Sequence, residues 1–452
     1  MARPPIFRRK KSWRTQNDFP MMKGVLKIAI AGLGTVGGGV IKTLSSRQDA
    51  LAAQAGRGLE IVAVSARDTK KNRGFAVSNW VADPLALAGG EADVVVELIG
   101  GEEGVARQLV EAALENGKHV VTANKALLAR HGKHLAKLAE KKNLQLKFEA
   151  AVAGGIPIVT TLREALIAHG VDAVKGILNG TCNYILTEME VSGRGFAEVL
   201  KDAQAKGYAE ADPVLDIGGG DTAHKLALLS CLAFGTAPDL THMRVDGISH
   251  ITAEDIGFAS EFGFRIKLLG VARQIYDKNG TPSGVNQRVH PAMVRARTPL
   301  ANVDGTANGV VVDAGEAGSF FFSGRGAGEA PTASAVVSDI VEIARGSFGP
   351  VFGRPAASLK NLVPADSGAS PWYLRFEVLD VPGVLAEIAG RLSEANVSIE
   401  SMIQRGRAPG EHVSIVMITH ECPQQAVERA LKAIAASDKV RARPCMIPME
   451  AA

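Results

Sequence analysis

Residues 24–44, GVLKIAIAGLGTVGGGVIKTL, predict how the chain begins to fold. The apolar run Leu26 to Ala31 is typical of a buried strand, and after the break at Gly32 apolar residues return with helical spacing. Gly32, Gly34 and Gly37 fit the pattern G-x-G-x-x-G between that strand and that helix. Such glycines allow a tight turn and let a pyrophosphate approach the helix N-terminus. The stretch therefore predicts a dinucleotide-binding α/β domain of the Rossmann type.

Further apolar runs predict the remaining strands of this domain, at Leu59–Val64, Asp93–Ile99 and Lys118–Val121. Beyond the first of them, Arg67 favours the 2′-phosphate of NADP, while the neighbouring Asp68 leaves NAD open. Lys125 follows the last strand at its carboxyl end, where cofactor and substrate meet in open parallel sheets. By position alone, an ordinary surface lysine is equally consistent.

Length and composition narrow the class of protein. The 452 residues suit three domains of roughly 150 residues each, and 46% hydrophobic residues with 49 glycines fit a soluble α/β protein. No apolar run approaches the ~18 residues of a membrane helix, so no membrane partner is expected. Four scattered cysteines without metal-ligand spacing predict a reduced, cytoplasmic setting.

The net charge of +4 owes much to the first residues of the chain. Residues 1–22 form a basic tail that we expect to be disordered or an extension upstream of the true start; a basic binding arm is the alternative. Beyond this tail the chain is close to neutral, which predicts no nucleic-acid partner.

The segment Gly207–Lys225, GYAEADPVLDIGGGDTAHK, concentrates charged side chains around a glycine triplet. Asp221 and Lys225 lie one helical turn apart on the same helix face. On a cleft wall, the lysine could donate a proton to a developing alkoxide while carboxylates hold a substrate ammonium group. A solvated salt bridge is the simpler reading. The other carboxylates of the segment are Glu210, Asp212 and Asp216.

Residues 148–345 predict a mixed α+β domain built around a sheet. Glu149 precedes a glycine loop whose carbonyls would suit a hard cation, although an ordinary turn explains it as well. The Asn179-Gly180 turn opens a helix, and its polar residues suit capping or substrate contact. The other predicted elements are helices at His224–Phe234, Ala253–Leu269 and Thr332–Arg345 and strands at Gly284–Val289 and Gly309–Val312.

The last part of the chain predicts a linker and a small module. Residues 346–370 are rich in Gly, Pro, Ala and Ser, and residues 371–452 give the order βαββαβ of a ferredoxin-like fold. The turn Asp380–Leu385 leaves backbone amides at a helix start, a site for a small carboxylate. A dimerisation module without ligand is the alternative.

From residue 23 onward the chain resembles the homoserine dehydrogenases of bacteria that carry a C-terminal ACT domain. The resemblance rests on GLGTVGGGV, TANKALLA, EAAVAGGIPI, GILNGTCNYILTEM, GYAEADPVLDIGGGDTAHK and GAGEAPTASAVVSDI. It implies a nucleotide-binding domain over residues 23–147, a substrate-binding and dimerisation domain over residues 148–345 and an ACT domain over residues 371–452. It also implies the monofunctional form, since no kinase-like segment precedes the nucleotide-binding domain. It also implies NAD(P)-dependent interconversion of L-aspartate 4-semialdehyde and L-homoserine, in threonine, methionine and isoleucine biosynthesis.

The resemblance further implies roles for individual residues. Lys225 is the expected proton donor, with Asp221 holding the reacting end of the substrate, and Lys125 lies between nicotinamide and substrate. Glu210 and Asp216 are the expected substrate-binding carboxylates. The implied cofactor residues are Gly32, Gly34, Thr35, Val36, Gly37, Arg67, Thr122, Lys125 and Gly328, and the implied sodium ligands are Glu149, Val152, Gly154 and Ile156.

Regulation and assembly are implied as well. L-threonine is the expected feedback inhibitor through the ACT domain, and a homodimer or homotetramer is the expected assembly. Two alternatives remain: another NAD(P)-dependent semialdehyde dehydrogenase, which should lack the combined Glu210, Asp221 and Lys225 pattern, and a non-catalytic threonine-binding protein, which would be expected to have lost Lys225 or the glycines.

Overall fold

The computed structural model describes residues 24–450 except 76, 78, 367 and 406–410. The predicted N-terminal tail lies outside these residues. Within them, no helix is both long and apolar enough to cross a membrane.

The nucleotide-binding part is a five-stranded parallel sheet with strand order β2-β1-β3-β4-β5. The predicted strand and helix around the glycine turn are confirmed, and β1 has the predicted bounds. Because strand order reverses between β1 and β3, a crevice opens beyond their carboxyl ends. The elements are β1 (Leu26–Ala31), α1 (Thr35–Ser46), α2 (Gln48–Ala55), β2 (Leu59–Ser65), β3 (Val94–Glu97), α3 (Val105–Glu115), β4 (His119–Thr122), α4 (Lys125–Lys141) and β5 (Leu146–Lys147).

The middle part is built on an antiparallel sheet of order β11-β10-β6-β8-β9, against which α6 and α9 pack. The elements are α5 (Ile158–Thr160), β6 (Ala173–Ile177), α6 (Gly180–Ser192), α7 (Phe196–Ala205), α8 (Val214–Ile217), α9 (Gly220–Phe234), β7 (Arg244–Val245), α10 (Ala253–Glu261), β8 (Phe264–Tyr276), β9 (Pro282–Arg295), β10 (Ala307–Asp313), β11 (Ser319–Arg325) and α11 (Glu329–Ala344).

One predicted helix of this part is wrong in its second half. The helix expected over Ala253–Leu269 ends at Glu261, and Gly263 turns the chain at φ +78° into the long strand β8. The run that misled the prediction, residues 266–272, lies between β6 and β9 and is buried throughout. A run that is buried on both faces, here including the charged Lys267, lacks the alternation of a half-buried strand and does not distinguish a central strand from a buried helix.

Helix α11 returns to the nucleotide-binding part and packs on α1. A Cβ on Gly39 of α1 would lie 2.8 Å from the Glu329 side chain and 3.0 Å from that of Ala333. Lys42 and Glu329 form an ion pair of 2.7 Å across the same contact. The glycine-rich face of α1 therefore serves helix packing as well as the turn before it.

The C-terminal module has the predicted order βαββαβ, and its sheet has the order β17-β13-β15-β14. Strand β17 also pairs in parallel with β9, through Met449 opposite Met293 and Glu450 opposite Val294. The module's sheet therefore continues the middle sheet. Its elements are β12 (Ala369–Ser370), β13 (Trp372–Leu379), α12 (Val384–Glu394), β14 (Ile399–Gln404), β15 (His412–Thr419), β16 (Cys422–Pro423), α13 (Gln424–Ile434) and β17 (Cys445–Glu450).

The segment over residues 346–370, predicted as a linker, packs along the domains that it connects. Val351, Phe352, Ala356 and Leu359 are buried. The Phe352 ring lies 5.3 Å from that of Phe148, between centroids. These contacts hold the segment against the nucleotide-binding and middle parts.

Candidate active site

Two glycines of the turn after β1 leave no room for a side chain. A Cβ on Gly32, at φ +97°, would lie 2.5 Å from the Leu98 carbonyl oxygen, and one on Gly37 would lie 2.0 Å from the Gly32 carbonyl oxygen. Helix α1 begins directly after this turn, and the backbone amides of its first turn have no partner within the helix. The turn therefore fits a phosphate group of a dinucleotide. The other predicted cofactor residues here are Gly34, Thr35 and Val36.

The loop after β2 carries the predicted determinant of cofactor choice. Arg67 is exposed and has no hydrogen-bond or ion-pair partner among the described residues. The Asp68 carboxylate accepts hydrogen bonds from two backbone amides of its own loop, at 2.9 and 3.1 Å. Arg73, which the sequence reasoning missed, donates to the Asp68 carbonyl at 2.6 Å and holds the loop in place. Among the described residues, Arg67 is therefore without a partner, whereas Oδ1 of Asp68 is engaged.

A buried carboxylate fixes the edge of the sheet beside the turn. Glu97, at the end of β3, has no exposed surface and accepts a 2.6 Å hydrogen bond from the Thr122 hydroxyl at the end of β4. It also accepts from the backbone amides of Ile99 and Gly100. Thr122 in turn accepts from the Asn124 amide at 3.0 Å. Thr122 therefore holds the sheet edge through its hydroxyl.

Lys125 is the first residue of α4 and is placed by the cap of that helix. The Asn124 side chain accepts from the Leu127 amide at 3.1 Å and donates to the Gly101 carbonyl at 2.6 Å. These bonds place the start of α4 beside the carboxyl ends of β3 and β4. From there Lys125 Nζ reaches Asp221 Oδ1 of the middle part, 3.0 Å away.

Asp221 lies between two ammonium groups. Its Oδ2 is 2.7 Å from Lys225 Nζ, one turn along α9, while its Oδ1 faces Lys125. Lys225 Nζ also donates to the Leu178 carbonyl at 2.7 Å, and Asn179 Nδ2 donates to Asp221 Oδ2 at 2.8 Å. The structure therefore brings the predicted catalytic residues into one cluster between the two parts.

The two lysines of the cluster favour the ionised form of the Asp221 carboxylate. Burial alone would raise the pKa of Asp221, but the ammonium groups of Lys225 and Lys125 hold that pKa well below its usual value. The Lys225 side chain is only 12% exposed. A buried carboxylate therefore fixes an ammonium group at the mouth of a nucleotide crevice, which is where an oxyanion would need a proton.

The other two predicted substrate carboxylates lie differently. Asp216 accepts from Asn179 Nδ2 at 2.8 Å, so the same amide connects it to Asp221. Glu210 lies on the exposed loop after α7, and its carboxylate has no partner among the residues that the structure describes. The backbone carbonyl of Glu210 accepts a hydrogen bond from Gln204 Nε2 at 3.0 Å. Asp216 thus belongs to the cluster, and Glu210 stands apart from it.

The glycine triplet before α9 lets this helix start close to the sheet. Gly219 has φ +87°, and a Cβ there would come within 3.0 Å of Val245 and Val289. Side chains at this position would push the start of α9 away from the middle sheet. The triplet therefore determines where Asp221 lies.

The loop after Glu149 is a compact turn held by that residue's side chain. Both Glu149 carboxylate oxygens accept from backbone amides, those of Val159 at 2.9 Å and Thr160 at 2.8 Å. The Ile156 carbonyl accepts from the Ile158 amide at 2.8 Å. In the described part of the chain no group of three or more His, Cys, Asp or Glu could hold a metal ion. A cation here would therefore depend on backbone carbonyls, including those of Val152 and Gly154.

Two glycine loops meet next to this turn. Gly154 has φ +55°, and a Cβ on it would lie 2.3 Å from the carbonyl oxygen of Gly326. Gly328, at φ +117°, directly precedes the first residue of α11. The predicted cofactor residue Gly328 therefore lies in a loop whose path is fixed by contact with the Glu149 turn.

Fold and site together define a class. A parallel sheet with a glycine turn at its switch point, and a lysine clamped by a buried carboxylate at the same crevice, define an oxidoreductase that uses a nicotinamide dinucleotide. The family model of the homoserine dehydrogenase NAD-binding domain matches residues 32–149, that of homoserine dehydrogenase matches residues 157–341, and that of the ACT domain matches residues 372–438.

Known proteins agree with these matches. The chain is 45% identical to a homoserine dehydrogenase of Neisseria gonorrhoeae, over 94% of this chain and 98% of the relative, and 42% identical to one of Pseudomonas aeruginosa, over 92% and 96%. A crystal structure of a homoserine dehydrogenase from Thiobacillus denitrificans superimposes with a TM-score of 0.87 at 40% identity, covering 94% of this chain and 99% of that one. The chain belongs to the homoserine dehydrogenase family, whose members are oxidoreductases acting on a CH–OH group with a dinucleotide cofactor.

Proposed function

We propose that Lys225 is the proton donor of homoserine dehydrogenase chemistry and that Asp221 and Lys125 position it and the substrate. The observation that carries this proposal is the Asp221 carboxylate, 2.7 Å from one ammonium group and 3.0 Å from the other. Lys225 and Lys125 come from different parts of the fold, and only the crevice between those parts brings them together. A salt bridge that served stability alone would need one lysine.

The residues fit the charge changes of the reaction. A bound nicotinamide supplies or accepts the hydride at the carbon that carries the oxygen. When L-aspartate 4-semialdehyde is reduced, negative charge grows on that oxygen, and the Lys225 ammonium stabilises it and donates the proton. The new O–H bond completes L-homoserine, and Lys225 regains its proton from solvent. In the opposite direction, the neutral amine of Lys225 removes the hydroxyl proton.

The remaining carboxylates suit the amino-acid part of the substrate. We assign Glu210 and Asp216 to the substrate ammonium group, since the Glu210 carboxylate is exposed and has no partner among the described residues. Asp216 shares Asn179 with Asp221, so that a group bound at Asp216 lies next to the catalytic cluster. Substrate binding would bring Glu210 towards that cluster.

We propose NADP as the preferred cofactor, with Arg67 on the 2′-phosphate. Its exposed guanidinium has no partner among the described residues, whereas Oδ1 of the Asp68 carboxylate accepts from two backbone amides of its own loop. Such a loop attracts a phosphate better than it accepts a ribose hydroxyl. Gly32, Gly34, Thr35, Val36 and Gly37 would hold the pyrophosphate. Thr122, Lys125 and Gly328 would lie towards the nicotinamide.

We also assign a sodium ion to the carbonyls of the turn formed by Glu149, Val152, Gly154 and Ile156. Oxygen ligands from a tight backbone turn suit a hard monovalent cation. For regulation, we propose that L-threonine acts through the ACT domain, at the Asp380–Leu385 turn, where α12 begins. We also propose that the protein assembles as a homodimer or homotetramer in the cytoplasm.

The experiment that tests the activity is NADP reduction followed at 340 nm with L-homoserine as substrate. We expect saturable turnover, and a rate with L-serine, one methylene shorter, at the blank level because its hydroxyl would not reach Lys225. No homoserine-dependent reduction with either NADP or NAD would refute the proposed function. Adding L-threonine to the same assay should lower the rate, and an unchanged rate at saturating threonine would refute the regulatory assignment.

A further inference from the structure

A large cavity lies between the middle part and the ACT module, away from the cluster of Asp221. Its volume is about 880 Å³, and its walls come from the region of β7 and β9 on one side and from β13, α13 and β17 on the other. Volumes of this size are typical of small-molecule sites. The Asp380–Leu385 turn does not line it.

The lining of this cavity is basic. Five lysine or arginine side chains and two carboxylates line it. Both carboxylates, Asp246 and Glu428, contact one of those cations, Arg244, at 2.8 and 2.6 Å, and its single positive charge offsets one of their two negative charges. Arg375 is likewise paired, with Asp255 at 2.6 Å. The cavity therefore keeps an excess of positive charge after its internal pairs are formed.

The remaining cations are arranged from the floor to the mouth. Arg288 is 5% exposed and bonds Glu450 through Nη2, but its Nε is buried without an acceptor. Beside it, Nδ1 of the buried His290 also has no partner. At the mouth, Lys432 and Arg443 are exposed and have no ion pair among the described residues. A buried donor without a partner costs stability, which a ligand that accepts its hydrogen bond would restore.

We propose that this cavity is a binding site for a small dianion, a dicarboxylate or a phosphate-bearing molecule. One anionic group would be held by the Arg288 guanidinium at the floor, and the other by Lys432 and Arg443 at the mouth. A zwitterionic amino acid supplies only one of the two negative groups. The site is therefore distinct in place and in ligand class from a threonine site at the Asp380–Leu385 turn.

The cavity wall is connected to the start of the catalytic helix. Next to the lining residue Asp246, a Cβ on Gly247 would lie 2.2 Å from the Ile217 carbonyl oxygen. The Ile248 amide donates to that same carbonyl at 2.9 Å. Ile217 ends α8, immediately before the glycine triplet that places Asp221. A ligand that displaces Asp246 would therefore also displace the backbone at Ile217, next to the active site. We infer that ligand binding in the cavity changes the rate of turnover.

Isothermal titration of the full chain, saturated with NADP, tests this site with succinate and with pyrophosphate as separate probes. We expect saturable binding of at least one probe. The double variant Lys432→Glu/Arg443→Glu should weaken it by about tenfold or more, as loss of charge-assisted contacts implies. The matched control is Lys201→Glu/Arg297→Glu, which makes the same charge change at exposed positions outside the cavity. It should bind within twofold of the wild type.

The outcomes separate the possibilities. Binding by succinate alone or by pyrophosphate alone identifies the anionic group. The site is refuted if neither probe binds, if the cavity variant and the control behave alike, or if L-threonine binds there more tightly than both probes. The effect on turnover is read from homoserine oxidation with the bound probe, where a change of about twofold or more is expected. Saturable binding with an unchanged rate would refute the coupling to α9.

Discussion

Lys125 Nζ lies 3.0 Å from Asp221 Oδ1, and this ion pair joins the first residue of a helix in the nucleotide-binding part to a helix of the middle part. Asp221 is buried and already paired with Lys225 at 2.7 Å. A second cation on the same carboxylate is unnecessary for pairing. The proposed function gives this second cation a role, because Lys125 would lie between nicotinamide and substrate.

Replacing Lys125 by methionine should reduce substrate binding more than it reduces the fold's stability. The Lys125 side chain is 35% exposed, so it contributes little to the buried core. Without it, the buried Asp221 carboxylate keeps its hydrogen bonds with Lys225 and Asn179. We expect kcat/KM for L-homoserine to fall by about 10- to 100-fold, as removal of a charged hydrogen-bond partner implies. Steady-state kinetics measure it. Lys137→Met, an exposed lysine of the same helix, is the control, and equal kinetics of the two variants would contradict the assignment.

Replacing Asp221 by asparagine should destabilise the protein in a pH-dependent way. At neutral pH we expect a loss of about 3 kcal/mol in the free energy of unfolding, because two ammonium groups lose their shared partner. The folded-state pKa of Asp221 is depressed, so its contribution is complete above the unfolded value of about 3.9 and is lost as the pH falls towards the folded value. The difference in the free energy of unfolding between wild type and variant should therefore decrease by about 1 kcal/mol from pH 5 to pH 3.

Urea unfolding at the two pH values measures this difference. Asp212→Asn changes an exposed carboxylate of the same segment and serves as the control, for which no such decrease is expected. A difference for Asp221→Asn that stays constant with pH would contradict the depressed pKa.

Replacing Gly37 by alanine should impair dinucleotide binding. The new Cβ would lie 2.0 Å from the Gly32 carbonyl oxygen, and the glycine turn would have to move. We expect the KM for the dinucleotide to rise by about tenfold or more. Gly38→Ala is the matched control, because its Cβ would meet only the Phe75 ring at 3.6 Å, an ordinary contact. Indistinguishable KM values for the two variants would show that the turn does not bind the cofactor.

Replacing Arg67 by alanine should change the choice of cofactor. Loss of a charged contact to the 2′-phosphate implies a rise of about tenfold or more in KM for NADP, with KM for NAD within about twofold. Kinetics with each cofactor at saturating L-homoserine measure the two values. An equal effect on both cofactors would show that Arg67 does not read the 2′-phosphate.

The sequence predicts much of this molecule because its signals are local. The glycine turn, the bounds of β1 and the cap at Asn179 each depend on a few neighbouring residues. The role of Glu97 at the sheet edge is not predicted from the sequence. Its hydrogen bond with Thr122 exists only because β3 and β4 lie side by side in the folded sheet. The pairing of Lys125 with Asp221 likewise depends on the meeting of two parts that are distant in the chain. The first residues of β8, up to Leu269, are wrongly predicted as helix because burial on both faces of the sheet removes the alternating pattern.

The most direct test of the account is kcat for homoserine oxidation in Lys225→Met at saturating L-homoserine and NADP. If Lys225 transfers the proton, kcat should fall by about 10²- to 10⁴-fold, the usual contribution of a positioned acid or base, while bound NADP is retained. Lys201→Met, an exposed lysine of α7, should keep wild-type kcat. A folded Lys225→Met protein with kcat within about threefold of the wild type would contradict the central claim.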